Sequence, residues 1–316
     1  MIECLSVGIL VADHLCDPIP RVPKAGELIL CERLPLATGG CASNAAVDLA
    51  RLGVKVGVVG CVGRDAFGRF MIDELAKAGV DVKHVHELAG VETSGTLIIN
   101  VAGEDRRFIH TRGANGHLTV DHIPAATLSA AKVLYVGGYL LMPALEPARL
   151  AALFRQARSR GVKTVLDIVL PGPGDHWPQL APVLAETDVF LPNQDEATVI
   201  TGTHDPLEQA EQFRAAGADT VVITCGGQGS VLVSPRERLR AGVYEMEYRG
   251  GTGSGDAFDA GFIAGLLAGE DARGCLRWGS AVGASCVRSI SATDGVFTRD
   301  EAKEFLAAHA LAIEAA

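Results

Sequence analysis

The residues with the clearest chemical potential form a short glycine-rich stretch, GGTGSGDAFDAG, at positions 250–261. Gly253, Ser254 and Gly255 precede an apolar run whose spacing predicts a helix, so their backbone amides would lie at a helix N-terminus, where anions bind. Asp256 follows directly, and a carboxylate can remove a proton from a hydroxyl group. Amides that attract negative charge beside a carboxylate that accepts protons suit the transfer of a phosphoryl group to a hydroxyl.

Two common glycine-rich nucleotide motifs do not match this stretch. A dinucleotide fingerprint needs GxGxxG and an acid about 20 residues later, whereas here the glycines lie at 251, 253 and 255 and position 275 is a cysteine. A P-loop needs a lysine after its last glycine, and Asp256 occupies that position. A structural alternative makes Asp256 or Ser254 the helix N-cap and the glycines a flexible turn. On this stretch alone, the catalytic and the structural interpretations stay equally open.

The rest of the chain predicts the elements that position this stretch. Short β-branched segments alternate with alanine-rich helical segments, a pattern typical of a parallel sheet with crossover helices. Gly53, Gly79, Gly161 and Gly217 each follow a predicted helix and are expected to end it. The sequence therefore predicts a single α/β domain over residues 1–316, with three α/β/α layers and a mostly parallel, doubly wound sheet.

Two segments interrupt this alternation, at about residues 14–36 and 93–113. Both are strand-like, and the second is expected to form a hairpin that turns at residues 102–105. We expect the two segments to pair into a small β-sheet outside the main one. A small sheet attached to a doubly wound domain suggests a lid over a site at the carboxyl ends of the strands.

The composition excludes several classes of protein. Of the 316 residues, 48% are hydrophobic and 21% charged, which argues against extensive disorder. A net charge of −10 argues against a nucleic-acid partner, because binding its phosphates would need a clustered basic face. The eight cysteines form no CxxC pair and the histidines lack metal-ligand spacing, so we expect reduced thiols and no structural metal. The first residues match neither a signal peptide nor a membrane span, so we expect a cytoplasmic protein without a membrane partner.

Five motifs together resemble those of the ribokinase family of carbohydrate kinases, also called the phosphofructokinase B (PfkB) family. GTGSGDAFDAG resembles the family's C-terminal signature, and GGCASNAAVDLARLG at 39–53 its N-terminal signature. GCVGRDAFG at 60–68, NQDE at 193–196 and TCGGQGS at 224–230 match three further family motifs. They occur in the family's order over nearly the whole chain. The resemblance implies a ribokinase-like fold and an ATP-dependent kinase that transfers the γ-phosphoryl group to a sugar hydroxyl, a phosphotransferase with an alcohol acceptor.

The resemblance implies roles for the residues of the glycine-rich stretch. Asp256 would be the catalytic base. The amides of Gly253, Ser254 and Gly255, together with that of Asp256, would form an anion hole for the transferring group.

Further residues would bind the nucleotide, again by resemblance. Asn193 and Glu196 would position Mg²⁺ and its waters around the ATP phosphates, since oxygen donors suit that strongly hydrated ion. The nucleotide pocket would be lined by Thr224, Gly226 and Gly229, with residues 281–289 as its other wall.

The resemblance also implies a sugar site in the first part of the chain. Asp13 in GILVAD would hold sugar hydroxyls, and Gly39, Gly40 and Asn44 would do the same from the next loop. Taken alone, Asp13 could equally cap a turn, Asn44 could cap a helix, and the two glycines could simply form a turn.

One strand of the predicted hairpin, RRFIHTRG at 106–113, bears on the identity of the sugar. Alternation places Arg106, Phe108, His110 and Arg112 on one face. If that face points into the site, its arginines could bind a phosphate or carboxylate, with Arg106 as a substrate-binding residue. A solvated lid surface, or a homodimer contact made by the lid, is the competing interpretation. The substrate stays open between ribose, fructose, a sugar acid, a phosphosugar and a nucleoside.

Gly250 and Gly251 depart from the family pattern, which has Asp-Thr at these two positions. In many members that pair supports the loop and contributes oxygens to a monovalent-cation site. Since the carboxylate is missing here, a monovalent-cation cofactor is doubtful. Replacing K⁺ by a large organic cation should leave turnover nearly unchanged in a steady-state assay, and a several-fold loss would contradict this prediction.

The same departure is the only support for an alternative function, a catalytically weak protein that senses a sugar or nucleotide on the same fold. The presence of Asp256, Asn193 and Glu196 together argues against this alternative, because a protein that only binds needs no base.

Overall fold

The computed structural model describes residues 2–104 and 107–316. Its strands are β1 Cys4–Gly8, β2 Val11–Leu15, β3 Leu36–Gly39, β4 Val56–Gly63, β5 Asp81–Leu88, β6 Gly95–Ile99, β7 Arg107–Thr111, β8 Val133–Gly137, β9 Lys163–Leu166, β10 Val189–Phe190, β11 Thr220–Thr224, β12 Ser230–Val233, β13 Arg238–Ala241 and β14 Ile313–Ala315. Its α-helices are α1 Cys41–Arg51, α2 Ala66–Lys77, α3 Ala125–Ala130, α4 Pro147–Ser159, α5 Trp177–Leu184, α6 Gln194–Thr201, α7 Pro206–Ala215, α8 Ser254–Ala268, α9 Ala272–Cys286 and α10 Arg299–Ala308.

The main sheet has ten strands in the order β14-β13-β12-β11-β10-β9-β8-β1-β4-β5. The strands from β11 to β5 in this order are parallel, whereas β12, β13 and β14 add antiparallel pairings at one edge. This confirms the predicted mostly parallel, doubly wound sheet. From β1 the chain first builds outward through β4 and β5 and later returns to the other side of β1 with β8. Such a point of reversal is where open α/β sheets bind ligands.

Both faces of this sheet are covered, which produces the predicted three layers. In β8, Leu134 and Val136 pack into a core with residues of α4, α5 and α7 on one face. Val133 and Tyr135 of the same strand pack into a second core with residues of α1, α2 and α8 on the opposite face. Alternate side chains point to opposite faces of a strand, so a sheet covered on both faces has strands that are apolar throughout.

Helix α8 is buried more completely than its sequence predicts. The predicted apolar stripe includes Phe258 and Phe262, whose rings stack with centroids 6.3 Å apart. Small residues on the other sides of the helix, such as Ala257 and Gly261, are buried as well because α1 and α9 pack against it. A single apolar stripe is therefore an incomplete description, since the helix that begins at the glycine-rich stretch is held from several sides.

The predicted second sheet is present, with four strands in the order β3-β2-β6-β7. The hairpin is confirmed by the antiparallel pairing of β6 with β7. The strand-like interpretation of residues 17–36 is wrong for most of that segment, which forms only an isolated bridge between Ile19 and Val101 before β3 begins. Pro18, Pro20 and Pro23 lack the amide hydrogens that a strand ladder needs. The sheet instead uses β2 and β3, on either side of that segment.

Local expectations for the glycines are confirmed. Gly53, Gly79, Gly161 and Gly217 each follow a helix with a positive φ. The eight cysteines carry no disulfide bond in this structure. Within the described residues, no helix combines the length and the apolar character needed to cross a bilayer.

Candidate active site

The glycine-rich stretch forms the N-terminus of α8. Gly253 is the N-cap, with φ 79°, and a Cβ atom at this position would lie 2.5 Å from the Ala292 carbonyl oxygen. Only glycine fits both the left-handed backbone and this close approach. Ser254 and Asp256 lie inside the helix, so neither caps it, and the alternative that assigned one of them to the cap is wrong.

The first turn of α8 offers amides to an anion, because the first N–H groups of a helix have no partner within it. The Ser254 amide already donates a long hydrogen bond of 3.3 Å to the Gly251 carbonyl oxygen. The Ser254 hydroxyl donates to the same oxygen at 3.0 Å. Gly255 and Asp256 are therefore better placed than Ser254 to donate to a ligand.

Asp256 is half-buried, and its carboxylate is held by the helix that follows the second motif. Asn44 Nδ2 on α1 donates to Asp256 Oδ2 at 2.8 Å. Burial raises the pKa of Asp256, while hydrogen bonds from Asn44 and Cys41 oppose the rise. A carboxyl group with a raised pKa that stays hydrogen-bonded is suited to accept a proton near neutral pH.

Asp13 lies on β2 beside the start of α1, where the predicted glycines make room for it. A Cβ atom on Gly39 would lie 1.9 Å from Asp13 Oδ2, and one on Gly40, the N-cap of α1, would lie 2.5 Å from the Ile9 carbonyl oxygen. Asp13 is 8% exposed, and burial raises its pKa to about 6, with a smaller contribution from the negative charge of Asp256. Within the described residues, Asp13 Oδ1 and Asn44 Oδ1 are buried without a hydrogen-bond partner. Unsatisfied buried acceptors of this kind indicate a missing donor such as a ligand hydroxyl.

These groups face a cavity of about 880 Å³, which we call the sugar cavity. Asp13, Asn44 and Asp256 all line it. The small sheet contributes Asp13 from β2 and Thr96, Ile98, Phe108 and His110 from one face of β6 and β7. Arg112, which follows β7, lines the cavity as well. The face of the hairpin strand that carries Phe108 and His110 could have belonged to a site or to a solvated surface, and it lines the cavity. Arg106 lies outside the described residues.

A second cavity, of about 810 Å³, lies on the other side of the α8 N-terminus, and we call it the nucleotide cavity. Asn193, Thr224, Gly226 and Gly229 line it together, as the motifs predict. Gly226 and Gly227 have open space where a Cβ would lie, so a ligand could approach their backbone closely. The predicted wall over residues 281–289 comprises the end of α9 and the three residues after it. Gly283, Ala284 and Val287 of this range line the cavity, together with Ser280 just before it.

The NQDE motif forms the N-terminus of α6. Asn193 Oδ1 accepts from the Glu196 amide at 2.9 Å, and the Asn193 amide donates to Glu196 Oε2 at 3.1 Å, which is a capping box. Burial raises the pKa of Glu196 to about 8, with a contribution from the charge of Asp256, although the bonds to Asn193 oppose the rise. Only Asn193 of this pair lines the nucleotide cavity.

Three polar groups near Asp256 were missed by the sequence-based predictions. Cys41 and Asp167 come close to Asp256, and the Asp167 Oδ2 atom accepts from the Gly138 amide at 2.9 Å. Asp259 lies on α8 and accepts a hydrogen bond of 3.0 Å from the Tyr135 hydroxyl. Burial raises the pKa of Asp167 and of Asp259 well above the usual range for aspartate. One signal was available, because Asp167 directly follows the apolar strand β9, where site residues of parallel sheets are found.

The fold and the site together define a phosphotransferase for small molecules, since a carboxylate and a helix N-terminus lie between two cavities at the reversal point of a parallel sheet. The model of the pfkB family carbohydrate kinases matches residues 1–299. The chain belongs to this family, and it is an ATP-dependent sugar kinase.

Individual relatives agree with this assignment. A ribokinase of Haemophilus influenzae is 32% identical over 308 residues, covering 95% of this chain and 97% of the relative. A 5-dehydro-2-deoxygluconokinase of Shouchella clausii is 31% identical over 284 residues, covering 84% of this chain and 85% of the relative. A solved structure from Escherichia coli, assigned as a ribokinase II and bound to ATP and Mg²⁺, matches with a TM-score of 0.80 and 22% identity, covering 98% of this chain and 100% of that one. This last likeness supports the ribokinase-like fold.

Proposed function

We propose that this kinase transfers the γ-phosphoryl group of ATP, bound in the nucleotide cavity, to a hydroxyl of a sugar bound in the sugar cavity. The observation that carries the proposal is the position of the α8 N-terminus between the two cavities. Gly253 and Asp256 line the sugar cavity, while Ser254 and Gly255 line the nucleotide cavity. Consecutive residues of one helical turn thus reach both reactants, as an in-line transfer requires.

In this proposal Asp256 accepts the proton of the attacking hydroxyl. Asn44 holds the carboxylate through its 2.8 Å hydrogen bond, which orients one oxygen and leaves the other for the substrate. The amides of Gly253, Ser254, Gly255 and Asp256 form the anion hole, with Gly255 and Asp256 as its main donors. Such donors stabilise the charge that develops on the transferring group.

Asp13 and Asn44 would bind further hydroxyls of the sugar, next to the one that reacts at Asp256. Their buried Oδ1 atoms have no partner in the described part of the chain, and sugar hydroxyls are donors that would satisfy both. Gly39 and Gly40 allow this approach because any larger residue would collide with Asp13 or with the Ile9 carbonyl.

Asn193 and Glu196 fit a role in positioning Mg²⁺ through its waters. Both offer oxygen donors of the kind that Mg²⁺ prefers: Asn193 lines the nucleotide cavity, and Glu196 is hydrogen-bonded to Asn193. The raised pKa of Glu196 reflects burial and nearby negative charge, which a cation would offset. When bound, Mg²⁺ neutralises charge on the ATP phosphates. Thr224, Gly226 and Gly229 would hold the nucleotide itself.

The backbone around Gly250 and Gly251 supports the doubt about a monovalent cation. The Gly251 carbonyl oxygen accepts from Ser254, and the carbonyl oxygens of Thr252 and Ala292 both lie within hydrogen-bonding distance of Cys286 Sγ, at 3.3 and 3.1 Å. Each of these carbonyl oxygens therefore already has a donor of the protein within hydrogen-bonding distance.

We further propose that the preferred sugar carries an acidic group. Asp13 and Asp256 bring negative charge to the cavity, and among its described lining residues Arg112 is the one arginine or lysine. A substrate with hydroxyls for Asp13 and Asp256 and a carboxylate or phosphate for Arg112 matches these charges.

Arg112→Ala should therefore raise KM for an acidic sugar by about 10-fold or more while changing KM for a neutral sugar little, because a lost charged hydrogen bond costs about 1.5–3 kcal/mol. Arg107→Ala is the matched control, since Arg107 lies on β7, five residues before Arg112, does not line the cavity and pairs with Glu104. Steady-state kinetics with both sugars measure the effect. Equal changes for the two sugars would contradict an acidic substrate.

The experiment that tests the proposed function as a whole measures ADP release with a panel of neutral sugars, sugar acids, phosphosugars and nucleosides. We expect stimulation by at least one sugar or sugar acid. Binding of ATP and a sugar without ADP release would instead favour the sensing function.

The outer face of the small sheet supports a homodimer formed through the lid. Leu97 and Ile109 are paired across β6 and β7 on that face, and they are 38% and 63% exposed. Leu28, Leu30 and Leu34 of the adjoining segment are also exposed. Groups of exposed apolar side chains mark contact surfaces between proteins. We therefore expect a dimer, and sedimentation velocity of the purified chain measures whether two copies associate.

A further inference from the structure

Beside Asp256 lie Cys41 and Asp167, two groups that the transfer reaction does not use, and the three form a cluster. Cys41 Sγ and one carboxylate oxygen each of Asp167 and Asp256 lie within 4.8 Å of one another. Cys41 and Asp167 are each 8% exposed. Cys41 also lines the sugar cavity, so a small ion could reach the cluster from there.

Both carboxylates of the cluster are already oriented by the protein. Asn44 Nδ2 donates to Asp256 Oδ2 at 2.8 Å, and the Gly138 amide donates to Asp167 Oδ2 at 2.9 Å. Hydrogen bonds of this kind hold metal-binding carboxylates in place. The Cys41 thiol also hydrogen-bonds to both carboxylates, and an ion would take the place of its proton.

The residue that holds Asp256 also has an unsatisfied acceptor, which is the same oxygen that a sugar hydroxyl would satisfy when sugar is bound. Asn44 is 4% exposed, and its Oδ1 atom is buried without a hydrogen-bond partner among residues 2–104 and 107–316. A water molecule bound to an ion in the cluster would be a donor for this oxygen, as it is for other buried acceptors.

We propose that Cys41, Asp167 and Asp256 form a site for a borderline-soft divalent cation of the Zn²⁺ class, and that its occupation inhibits the kinase. Ligands at 2.0–2.3 Å from a tetrahedral Zn²⁺ are about 3.3–3.7 Å apart, so the cluster must contract by about 1 Å. The Cys41 thiol releases its proton to solvent as the sulfur binds the ion. The thiolate selects Zn²⁺ over Mg²⁺, which prefers oxygen ligands and keeps its waters.

The inhibition, which rests on the proposed function, follows from the shared ligand. A carboxylate of Asp256 that coordinates a cation no longer accepts the proton of the substrate hydroxyl. The ion would also occupy space at the wall of the sugar cavity, so sugar and Zn²⁺ should compete.

Binding is tested without nucleotide or sugar by titrating the full chain with Co²⁺, a spectroscopic substitute for Zn²⁺. We expect one equivalent to produce a sulfur-to-cobalt charge-transfer band that one equivalent of Zn²⁺ removes. Cys41→Ser and Cys41→Ala should abolish the band. Cys275→Ser, which changes a buried thiol of α9 away from the cluster, should retain it. A band that persists in both Cys41 variants, or no band in the unmodified chain, overturns the proposed site.

Inhibition is tested in the ADP-release assay at saturating Mg²⁺. The Zn²⁺ concentration for half-inhibition should rise at least about 10-fold in Cys41→Ala, the loss expected when a metal site loses a ligand or its support. An unchanged concentration would mean that Zn²⁺ acts elsewhere, for example in place of Mg²⁺, and overturns the inhibitory role. If no acceptor is phosphorylated at all, the proposed function fails while the Co²⁺ titration still decides the metal site.

Discussion

Asp256→Asn should lower turnover by about 10²-fold or more, the size of effect expected when a general base is removed. Asparagine keeps the size of the side chain but does not accept the proton of the substrate hydroxyl. The affinity for ATP should change little, because the nucleotide lies on the other side of the α8 N-terminus. Turnover is measured at saturating sugar and ATP, and ATP binding is measured separately by calorimetry.

Asp259→Asn provides a matched control for this variant. Asp259 lies one turn further along α8, is 2% exposed and accepts a hydrogen bond from Tyr135 that asparagine can still accept. Its turnover should remain within a few-fold of the unmodified chain. If Asp256→Asn is nearly as active as the unmodified chain, the base is another group. If the two variants lose turnover equally, the loss comes from neutralising a buried charge and not from the base.

Gly253→Ala should also lower turnover by about 10²-fold, for a reason of backbone geometry. The added Cβ would lie 2.5 Å from the Ala292 carbonyl oxygen and 2.7 Å from Ala292 Cβ, so either the start of α8 or the residues around Ala292 must move. A displacement of about 1 Å at a catalytic group can cost this much activity, and so can the loss of one anion-hole donor. Turnover and the thermal unfolding midpoint are measured together.

Gly269→Ala is the control for backbone strain. It places an alanine in a left-handed conformation without displacing the start of α8. Gly269 ends the same helix with φ 80°, nearly the value at Gly253, but a Cβ there meets no atom within 4 Å. Both variants should lose about 1–2 kcal/mol of stability from the left-handed backbone. Only Gly253→Ala should lose turnover, and a comparable loss in Gly269→Ala would show that helix stability controls the activity.

The local pattern of the sequence was sufficient for much of the fold. Apolar strands and alanine-rich helices predicted the parallel sheet because a βαβ unit has a characteristic spacing that neighbouring residues determine. The error at residues 17–36 has a local cause as well, since apolar residues there suggested a strand while the prolines among them remove ladder donors. Those prolines are visible in the sequence and by themselves argue against a strand there.

The individual site motifs were also local features. The glycines before α8, the Asn193–Glu196 capping box and the glycines before α1 are each contained within a few residues, because a helix N-terminus is built from consecutive backbone groups. For this reason the motifs predicted which residues would face a ligand before any distance was known.

What depended on the tertiary structure was the set of contacts between motifs. The hydrogen bond from Asn44 to Asp256 joins residues 212 positions apart, and the approach of Cys41 and Asp167 to Asp256 follows from β1, β8 and β9 being neighbours in the sheet. No periodicity along the chain encodes which strands become neighbours, or which face of the β7 strand covers the cavity. The sequence alone therefore predicted Asp256 as the base and the family that the chain resembles, while strand order and packing decided that two cavities meet at one helical turn and that a thiol lies beside Asp256.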